Sequence, residues 1–266
     1  MKKIASKLLI LCVMLIAQIN SHAQTANTHK LQMGIILSSG LNFNTMNTKI
    51  AEGKVGTDLS VGMNIIKNFN DNLGFITGFE FDFSRIRYSF GDSMFYLYND
   101  SKILTKSENT QSGSMYKITE RTQTPIYLSI PTMFVFRTDY FGYNRYFAKF
   151  GMRHSFALKS MTNDEGSVIG SLDAKKLTNM QLPSDLSVYR GSIGIAGGME
   201  WNYYGTSTMV FELGYYYGIN NIHSGDAIIG NDKDKNRSLF ENLNKTSYTS
   251  LKNTQNQLVL KVSFIF

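Results

Sequence analysis

Residues 75–86 read FITGFEFDFSRI and alternate between aromatic and polar or small residues from Phe79 onward. Successive side chains of an extended chain point to opposite faces. From Gly78 to Ser84 one face therefore carries only aromatic rings, and the other carries two small residues and two carboxylates. The aromatic set is Phe75, Phe79, Phe81 and Phe83, and the opposing set is Gly78, Glu80, Asp82 and Ser84. This pattern predicts a β-strand with two faces of opposite chemistry.

The same period of two recurs in seven other segments of the chain. They are residues 30–43, 54–65, 127–136, 145–159, 188–203, 207–219 and 256–266. Together with residues 75–86 they predict eight strands in an all-β protein. Three prolines and 33 Phe and Tyr residues in total are consistent with this class.

The polar faces of these strands distinguish between two all-β architectures. A soluble sandwich also alternates, but its polar face meets water and is rich in Lys, Glu and Thr. Here the polar face is rich in Gly, Ser and Asn with isolated charges of both signs, which suits a crowded interior. The apolar faces are long enough to cover the ~9–11 residues of a membrane-crossing strand. We therefore predict an eight-stranded antiparallel up-and-down transmembrane β-barrel whose apolar side faces lipid.

Connection lengths support the barrel independently. Short segments, NDN, TDYFGYN and YGT, follow strands two, four and six. Long polar segments follow the odd-numbered strands, and the last three of them cover residues 91–114, 161–186 and 223–254. Short periplasmic turns and long extracellular loops are typical of outer-membrane barrels. Aromatic belts are expected at both interfaces. The periplasmic belt would contain Phe75, Tyr140, Tyr143, Tyr146, Trp201, Tyr203, Phe264 and Phe266, and the outer belt Phe43, Tyr88, Phe90, Phe156, Tyr189 and Tyr217.

The amino-terminal residues resemble a secretory signal. Lys2, Lys3 and Lys7 precede an apolar run, and Ser21-His22-Ala23 offers small residues for cleavage. The apolar run is shorter than the ~20 residues of a membrane anchor. We predict a signal peptide over residues 1–23 and one barrel domain over residues 24–266, located in the cell outer membrane.

Composition excludes several classes of function. The single cysteine, Cys12, lies in the signal, so disulfides and thiolate sites are excluded after cleavage. The formal net charge of +7 includes the three signal lysines and is spread evenly, which does not favour nucleic acid as a partner.

The inward faces carry charges that would be costly unless they pair across the lumen. An eight-stranded barrel is just wide enough to be filled by side chains. We predict a charge network that plugs the interior, with a narrow ion-conducting path as the alternative. Its members would be Asp58, Glu80, Asp82, Lys149, Arg153, Arg190, Glu200, Glu212 and Lys261. Pro125 and Pro131 conflict with the closed ladder, since proline donates no ladder hydrogen bond; we place Pro125 above the membrane or at a bulge.

The final strand ends on alternate apolar residues, Val262, Phe264 and Phe266. We predict that these form the signal read by the outer-membrane insertion machinery. The chain resembles the PorT-type outer-membrane β-barrel family common in Bacteroidetes. The resembling pieces are GIILSSGLNF, NFNDNLGFITGFEFDFSR, PIYLSIPTMFVFR, FGMRHSFAL, ELGYYYGINNI and the terminal strand. The resemblance implies the barrel fold and, from the member that named the family, an accessory role in type IX secretion.

No enzyme or cofactor signature emerges from the sequence. His154 and Ser155 suggest a deacylase pair, but neighbouring strand residues point to opposite faces. His223 begins the last outer loop and is predicted to be solvated. The segment NDKDKNRSLFEN lacks the Gly and Glu of a calcium loop, with Arg237 and Leu243 at those positions. We predict no catalytic, cofactor or metal site.

Three functions remain open at this stage. The first is a structural or interaction protein, in which a long hairpin projects above the membrane with Tyr96, Tyr98 and Tyr116 exposed to a surface protein or glycan. The second is a small porin-like channel. The third is the accessory role in type IX secretion. Outer-membrane lipid is a partner in each of them.

Overall fold

The structure, a computed structural model, describes residues 31–46, 51–90, 94–97, 102–103, 115–168, 175–182, 185–204, 207–223, 228–231, 247–250 and 252–266. These residues form 13 strands: β1 (Leu31–Met46), β2 (Ala51–Asn68), β3 (Leu73–Phe90), β4 (Met94–Leu97), β5 (Lys102–Ile103), β6 (Met115–Arg137), β7 (Asn144–Val168), β8 (Lys175–Gln181), β9 (Tyr189–Tyr204), β10 (Ser207–Gly218), β11 (Ile228–Asn231), β12 (Ser247–Ser250) and β13 (Asn253–Ile265). Within these ranges no helix is long and apolar enough to cross a membrane. The predicted signal peptide lies outside the described residues.

Eight of the strands close into a ring in the order β1, β2, β3, β6, β7, β9, β10 and β13. Every neighbouring pair is antiparallel. The ring closes where β13 returns to β1, with pairs running from Gly34–Ile265 to Met46–Asn253. This confirms the predicted all-β, eight-stranded, up-and-down barrel.

The two faces of the barrel wall have the predicted chemistry. Leu213 and Leu260 point outward and are 56% and 59% exposed. On β3, Phe81 is exposed, whereas Glu80 and Asp82 beside it are completely buried. The barrel therefore exposes apolar side chains on its outer face, while its inner face holds the charges together with two small clusters of buried apolar side chains.

The end at which β1 begins and β13 ends also carries the short turns, and we call it the periplasmic end. Phe266 donates its backbone N–H to Met33 O there at 2.9 Å. Asn70 forms the β2–β3 turn by accepting the N–H groups of Asn72 and Leu73 at 3.0 and 2.6 Å. Gly142 has φ +66° in the β6–β7 turn, a conformation that glycine adopts without steric cost. At the opposite end only residues 47–50 separate β1 from β2, so the prediction of a long first loop was wrong.

Beyond the outer end of the ring, β6 and β7 continue as a projecting hairpin. The first residue of β9, Tyr189, pairs with Phe156, so residues 157–168 of β7 extend beyond β9 and pair with β6 and in part with β8. β8 then folds back against β7, and β4 pairs with the start of β6. We call residues 86–90, 115–123, 160–168, 175–182, 185–187 and 220–223 the outer extension. The prediction of a loop over residues 161–186 was wrong, because most of this segment is strand.

Both prolines of β6 break the same ladder without changing its register. The β3–β6 pairs share one register from Leu73–Phe136 to Ser89–Glu120, but they are missing at Pro125 and Pro131. On the other side, both prolines pair with β7. Because the prolines are six residues apart, their missing donors face the same neighbour, β3. Gly78 lies opposite Pro131 and has φ +149°. Glycine adopts this backbone conformation without steric cost, so the chain of β3 can deviate where the ladder is interrupted. The β6–β7 ladder has a register shift between Ile126 and Tyr127. This irregularity lies next to Pro125, where a bulge was one of the two predicted positions.

Candidate functional site: the filled lumen and the outer core

At the periplasmic end of the lumen, one carboxylate binds two arginines. Glu200 of β9 accepts hydrogen bonds from Arg137 Nε at 2.8 Å and from Arg145 Nε at 2.5 Å. All three side chains are buried. Glu200 was predicted to belong to the inward charge network, but neither Arg137 nor Arg145 was. Arg137 was missed because it follows the last apolar residue of its strand, where a turn was expected.

At mid-height, the charges of four strands meet across the lumen. Glu80 of β3 accepts from Lys261 Nζ of β13 at 2.6 Å and from Arg153 of β7 at 2.7 Å. Arg153 also binds Asp82 at 2.6 Å, and Arg190 of β9 binds Asp82 at 3.1 Å. Three distant parts of the chain are thus tied to two neighbouring carboxylates on β3.

A separate pair, Lys149 and Glu212, lies beside this group with an Nζ–Oε2 distance of 2.5 Å. Its members come from β7 and β10, so the pair spans β9. Gly194 of β9 makes room nearby, since a Cβ there would lie 2.4 Å from the ring of the buried Tyr216. The lumen at this height is therefore filled by paired charges and an aromatic ring.

Asp58 is held by neutral side chains. Gln257 donates to Asp58 Oδ2, and the same amide donates to Asn42 at 3.1 Å. Within the described residues, Asp58 Oδ1 has no hydrogen-bond partner. The structure thus buries all nine predicted network residues and brings eight of them into ion pairs, while Asp58 is held by an amide.

Above the ring, a second buried charge group ties the outer extension together. Arg121 of β6 binds Asp164 of β7 through two parallel hydrogen bonds of 2.7 and 2.6 Å. A third hydrogen bond, of 2.8 Å, joins Arg121 to Asp185, just before β9. Two-pronged arginine–carboxylate pairs are among the stronger and more directional ion pairs in proteins. The group fixes the projecting hairpin to the segment that leads back into the ring.

His223 belongs to this group, contrary to the prediction of a solvated loop residue. Its Nε2 lies 2.8 Å from Tyr88 Oη and 3.2 Å from Gln123 Oε1, and the side chain is buried. Burial, followed by the positive charge of Arg121, lowers the pKa of His223 to about 3. The imidazole is therefore neutral. The sequence signal was weak, because the residue stands alone at the end of a strand.

An apolar core surrounds these groups in the outer extension. It contains Ala51, Ile86, Tyr88, Phe90, Tyr116, Ile118, Leu177, Met180, Leu182 and Ile222. Tyr116 was predicted to be exposed and is completely buried, so that prediction was wrong. Tyr88 and Phe90 were assigned to the outer aromatic belt and lie in this core instead. The side chains of Tyr96 and Tyr98 lie outside what the structure describes.

Other residues of the two predicted aromatic belts do face outward. The strongly exposed ones are Tyr140, Tyr143, Tyr146, Trp201 and Phe264 at the periplasmic end, and Phe43, Phe156 and Tyr217 at the outer end. In the predicted insertion signal, Phe264 is exposed while Val262 and Phe266 are half-buried on the same outward side. Recognition of these residues by the insertion machinery stays a prediction.

The candidate catalytic pair is divided between the two faces of β7. His154 Nδ1 lies 2.9 Å from Tyr189 Oη on the outer face, whereas the buried Ser155 Oγ lies 2.6 Å from Ser129 Oγ. Within the described residues, no group of three or more His, Cys, Asp or Glu side chains is placed to hold a metal ion. The candidate calcium segment after Asn231 lies outside the described residues.

Comparison with known proteins places this geometry in context. Among solved structures, the chain is similar to the attachment invasion locus protein Ail of Yersinia pestis (11% identity, TM-score 0.36, covering 90% of this chain and 100% of that one). It is also similar to Neisserial surface protein A (9%, 0.35, 87% and 95%) and to the N-terminal β-barrel domain of Pseudomonas aeruginosa OprF (10%, 0.33, 88% and 97%). No curated protein matches the chain. A family model described as "Outer membrane protein beta-barrel domain" matches residues 17–224.

Proposed function

The chain belongs to the outer membrane protein beta-barrel domain family, and from this premise we propose that it is a non-enzymatic interaction protein. In this proposal the barrel is a closed anchor, and the outer extension is the part that meets a surface protein or glycan. The single observation that carries the proposal is the contrast between a filled lumen and a separately packed structure outside the membrane.

The filled lumen supports the anchor half of the proposal. Buried ion pairs fill the lumen at the level of Glu200 and at the level of Glu80, and a further buried group lies above the ring at Arg121. An ion entering from either end would meet side chains that already neutralise one another. A channel would require these buried pairs to separate, which costs several kcal/mol for each charge left alone. A role in type IX secretion stays the prediction of the resemblance alone.

The outer extension supports the interaction half. It has its own apolar core, and its ion pairs fix the backbone from the inside. A rigid platform can hold an exposed surface in one conformation, which reduces the entropy lost on binding. Glu165 and Lys176 lie on its outside and are more than half exposed.

Single cysteines provide the experiment, because the only native cysteine lies in the predicted signal. Glu165→Cys and Lys176→Cys would carry a photocrosslinker on the outer extension of intact cells, with the lipid-facing Phe150→Cys as the control. We expect one discrete crosslinked species from both outer positions, competed away by excess purified protein and missing from the control. An identical pattern at all three positions would contradict the proposal. Ion conductance by the purified protein in a planar bilayer would contradict the closed anchor.

A further inference from the structure

The outward face of β3 changes chemistry abruptly at the outer end of the barrel. Phe79, Phe81 and Phe83 form an exposed aromatic column, and the next two outward residues are Arg85 and Arg87. Two residues advance a strand by ~7 Å, so Arg85 lies one short step above the last ring. Two positively charged side chains, Arg85 and Arg87, thus follow the aromatic column directly at its outer end.

Neighbouring strands enlarge this basic site. Lys54 of β2 is the register partner of Arg87, and Thr57 of β2 is the partner of Arg85. On the other side, Thr122 of β6 is the partner of Arg87. Directly opposed residues in antiparallel strands lie ~4.5–5.5 Å apart. Three cations and two hydroxyl groups therefore share one small area of the outer wall, which we call the basic patch (Lys54, Thr57, Arg85, Arg87 and Thr122).

Two acids, Glu52 and Glu120, lie along the upper edge of the basic patch as register partners of Ser89, and against its three cations they leave a net charge of +1. Glu120 accepts from Lys54 at 3.0 Å and from Arg87 at 2.9 Å. These hydrogen bonds, from Arg87 first and Lys54 second, hold the pKa of Glu120 below its usual range. Among the described residues, the Arg85 guanidinium has no ion-pair partner, and Arg87 uses only one terminal nitrogen for Glu120. The patch therefore has unused cationic donors.

The wall formed by β1, β13 and β10 is chemically different at the same height. β1, β10 and β13 present Phe43, Thr45, Tyr217 and Asn256 outward there. These side chains are aromatic or neutral, as expected of a general interfacial belt. The concentration of charge on β2 and β3 is thus a local feature of one side of the barrel.

We propose that the basic patch and the aromatic column bind a phosphate-bearing glycolipid of the outer leaflet. The acyl chains would lie along Phe79, Phe81 and Phe83, and the phosphate would meet Arg85, Arg87 and Lys54. Arginine matches phosphate with paired, charge-assisted hydrogen bonds, and the threonine hydroxyls add neutral donors. A cationic site immediately above lipid-facing side chains is the arrangement that recognises an anionic headgroup.

This site lies on the wall of the barrel and does not depend on the proposed interaction partner. It is the charge complementarity of the patch that favours a lipid: a free anion would not explain why the cations continue an aromatic column. A second copy of the chain is the other possible occupant, and the experiment separates it.

The test uses the processed full-length protein in detergent, with diphosphorylated hexa-acyl lipid A as the probe and native mass spectrometry as the measurement. We expect the double variant Arg85→Gln/Arg87→Gln to lower the lipid-bound fraction about tenfold or more, because charge-assisted bonds to phosphate are lost. The matched control, Lys176→Gln/Lys252→Gln, removes two exposed lysines outside the patch and should bind as the wild type does. Lipid A without phosphates should bind the wild type as weakly as the double variant binds the phosphorylated probe.

Four results would overturn the proposal. The first is equal binding by the double variant, once its unchanged heat-modified gel mobility shows that it is folded. The second is equal binding of the phosphate-free lipid. The third is displacement of the lipid by excess inorganic phosphate, which would make the patch a simple anion site. The fourth is a lipid-independent dimer that the double variant loses, which would assign the patch to a second copy.

Discussion

The barrel at membrane height and the outer extension are built from the same strands with opposite polarity. On the lower part of β3, Phe81 faces outward and Asp82 faces the lumen. Only a few residues later, Arg87 faces outward while Ile86 and Tyr88 are completely buried. Odd-numbered residues of β3 face outward and even-numbered residues face inward in both regions. What differs is the surrounding medium, which is hydrocarbon around the barrel and water around the outer extension. Hydrocarbon favours apolar side chains on the outside, and water favours them on the inside.

This comparison also changes what a buried charge means in each region. At membrane height the charges occupy the place of a hydrophobic core, so each depends on its partner. In the outer extension Arg121 and its two aspartates form a small charged group that is surrounded by an apolar core. Removing a charge should therefore disrupt the barrel itself in the first region and only the attached hairpin in the second.

The largest effect is expected at the centre of the lumen. Glu80→Ala would leave Lys261 and Arg153 without their shared carboxylate, and losing one partner of a buried pair costs about 3–5 kcal/mol. Urea unfolding in lipid vesicles measures the change in the free energy of unfolding. The matched control, Glu165→Gln, removes an exposed pair with Lys176 and should cost less than about 1 kcal/mol. Equal losses would contradict the distinction between buried and exposed pairs.

Outward substitutions should depend on height in the same way. Leu213→Lys places a charge on the lipid-facing wall and should cost about 2–4 kcal/mol, with the cost falling to about 0–1 near the interface. Thr45→Lys, on the exposed outer end of β1, should lie in that lower range. The same vesicle assay compares the two variants. If both cost the same, the boundary between lipid and water lies elsewhere.

A smaller, pH-dependent effect should be confined to the outer extension. The pKa of His223 is about 3 in the folded protein against 6.5 when exposed, so the unfolded state gains a proton that the folded state does not. Stability supplied by this residue is complete above pH 6.5 and is lost as the pH falls toward 3. Between pH 7.5 and 5.5 the loss should be about 1 kcal/mol.

Hydrogen exchange at backbone amides near Tyr88 and Gln123 would detect that local loss. His223→Gln removes the titrating group, so its exchange should be insensitive to pH once intrinsic rates are corrected. A loss of protection spread equally over the whole barrel, or retained in this variant, would contradict the assignment to His223.

The sequence predicted the structure best in strand segments that lie entirely at membrane height. Phe79 to Phe83 on β3 and Leu258 to Phe266 on β13 identified the barrel, its inward charges and its closure. The outer extension was missed because its pattern is inverted relative to the barrel. Tyr88 was assigned to the outer aromatic belt, and Tyr116 was predicted to be exposed on a projecting hairpin, but both side chains lie in the apolar core of the outer extension.

Pairing partners could not be predicted from period alone. Alternation shows that Arg153 faces the lumen, but which carboxylate it binds depends on the stagger of distant strands. Arg137 and His223 stand at strand ends, where alternation gives no face. The gaps at Pro125 and Pro131 depend on their cross-strand neighbours, and the sequence does not show that Gly78 lies opposite Pro131.

The difference in surroundings between the barrel wall and the outer extension is tested most directly by spin labels in reconstituted vesicles. Labels at Phe211 and Leu260 should be accessible to oxygen, which concentrates in hydrocarbon, and shielded from a water-soluble nickel complex. A label at Lys176 should give the reverse order. If Phe211 and Leu260 contact the nickel complex as readily as Lys176 does, the apolar wall does not face lipid.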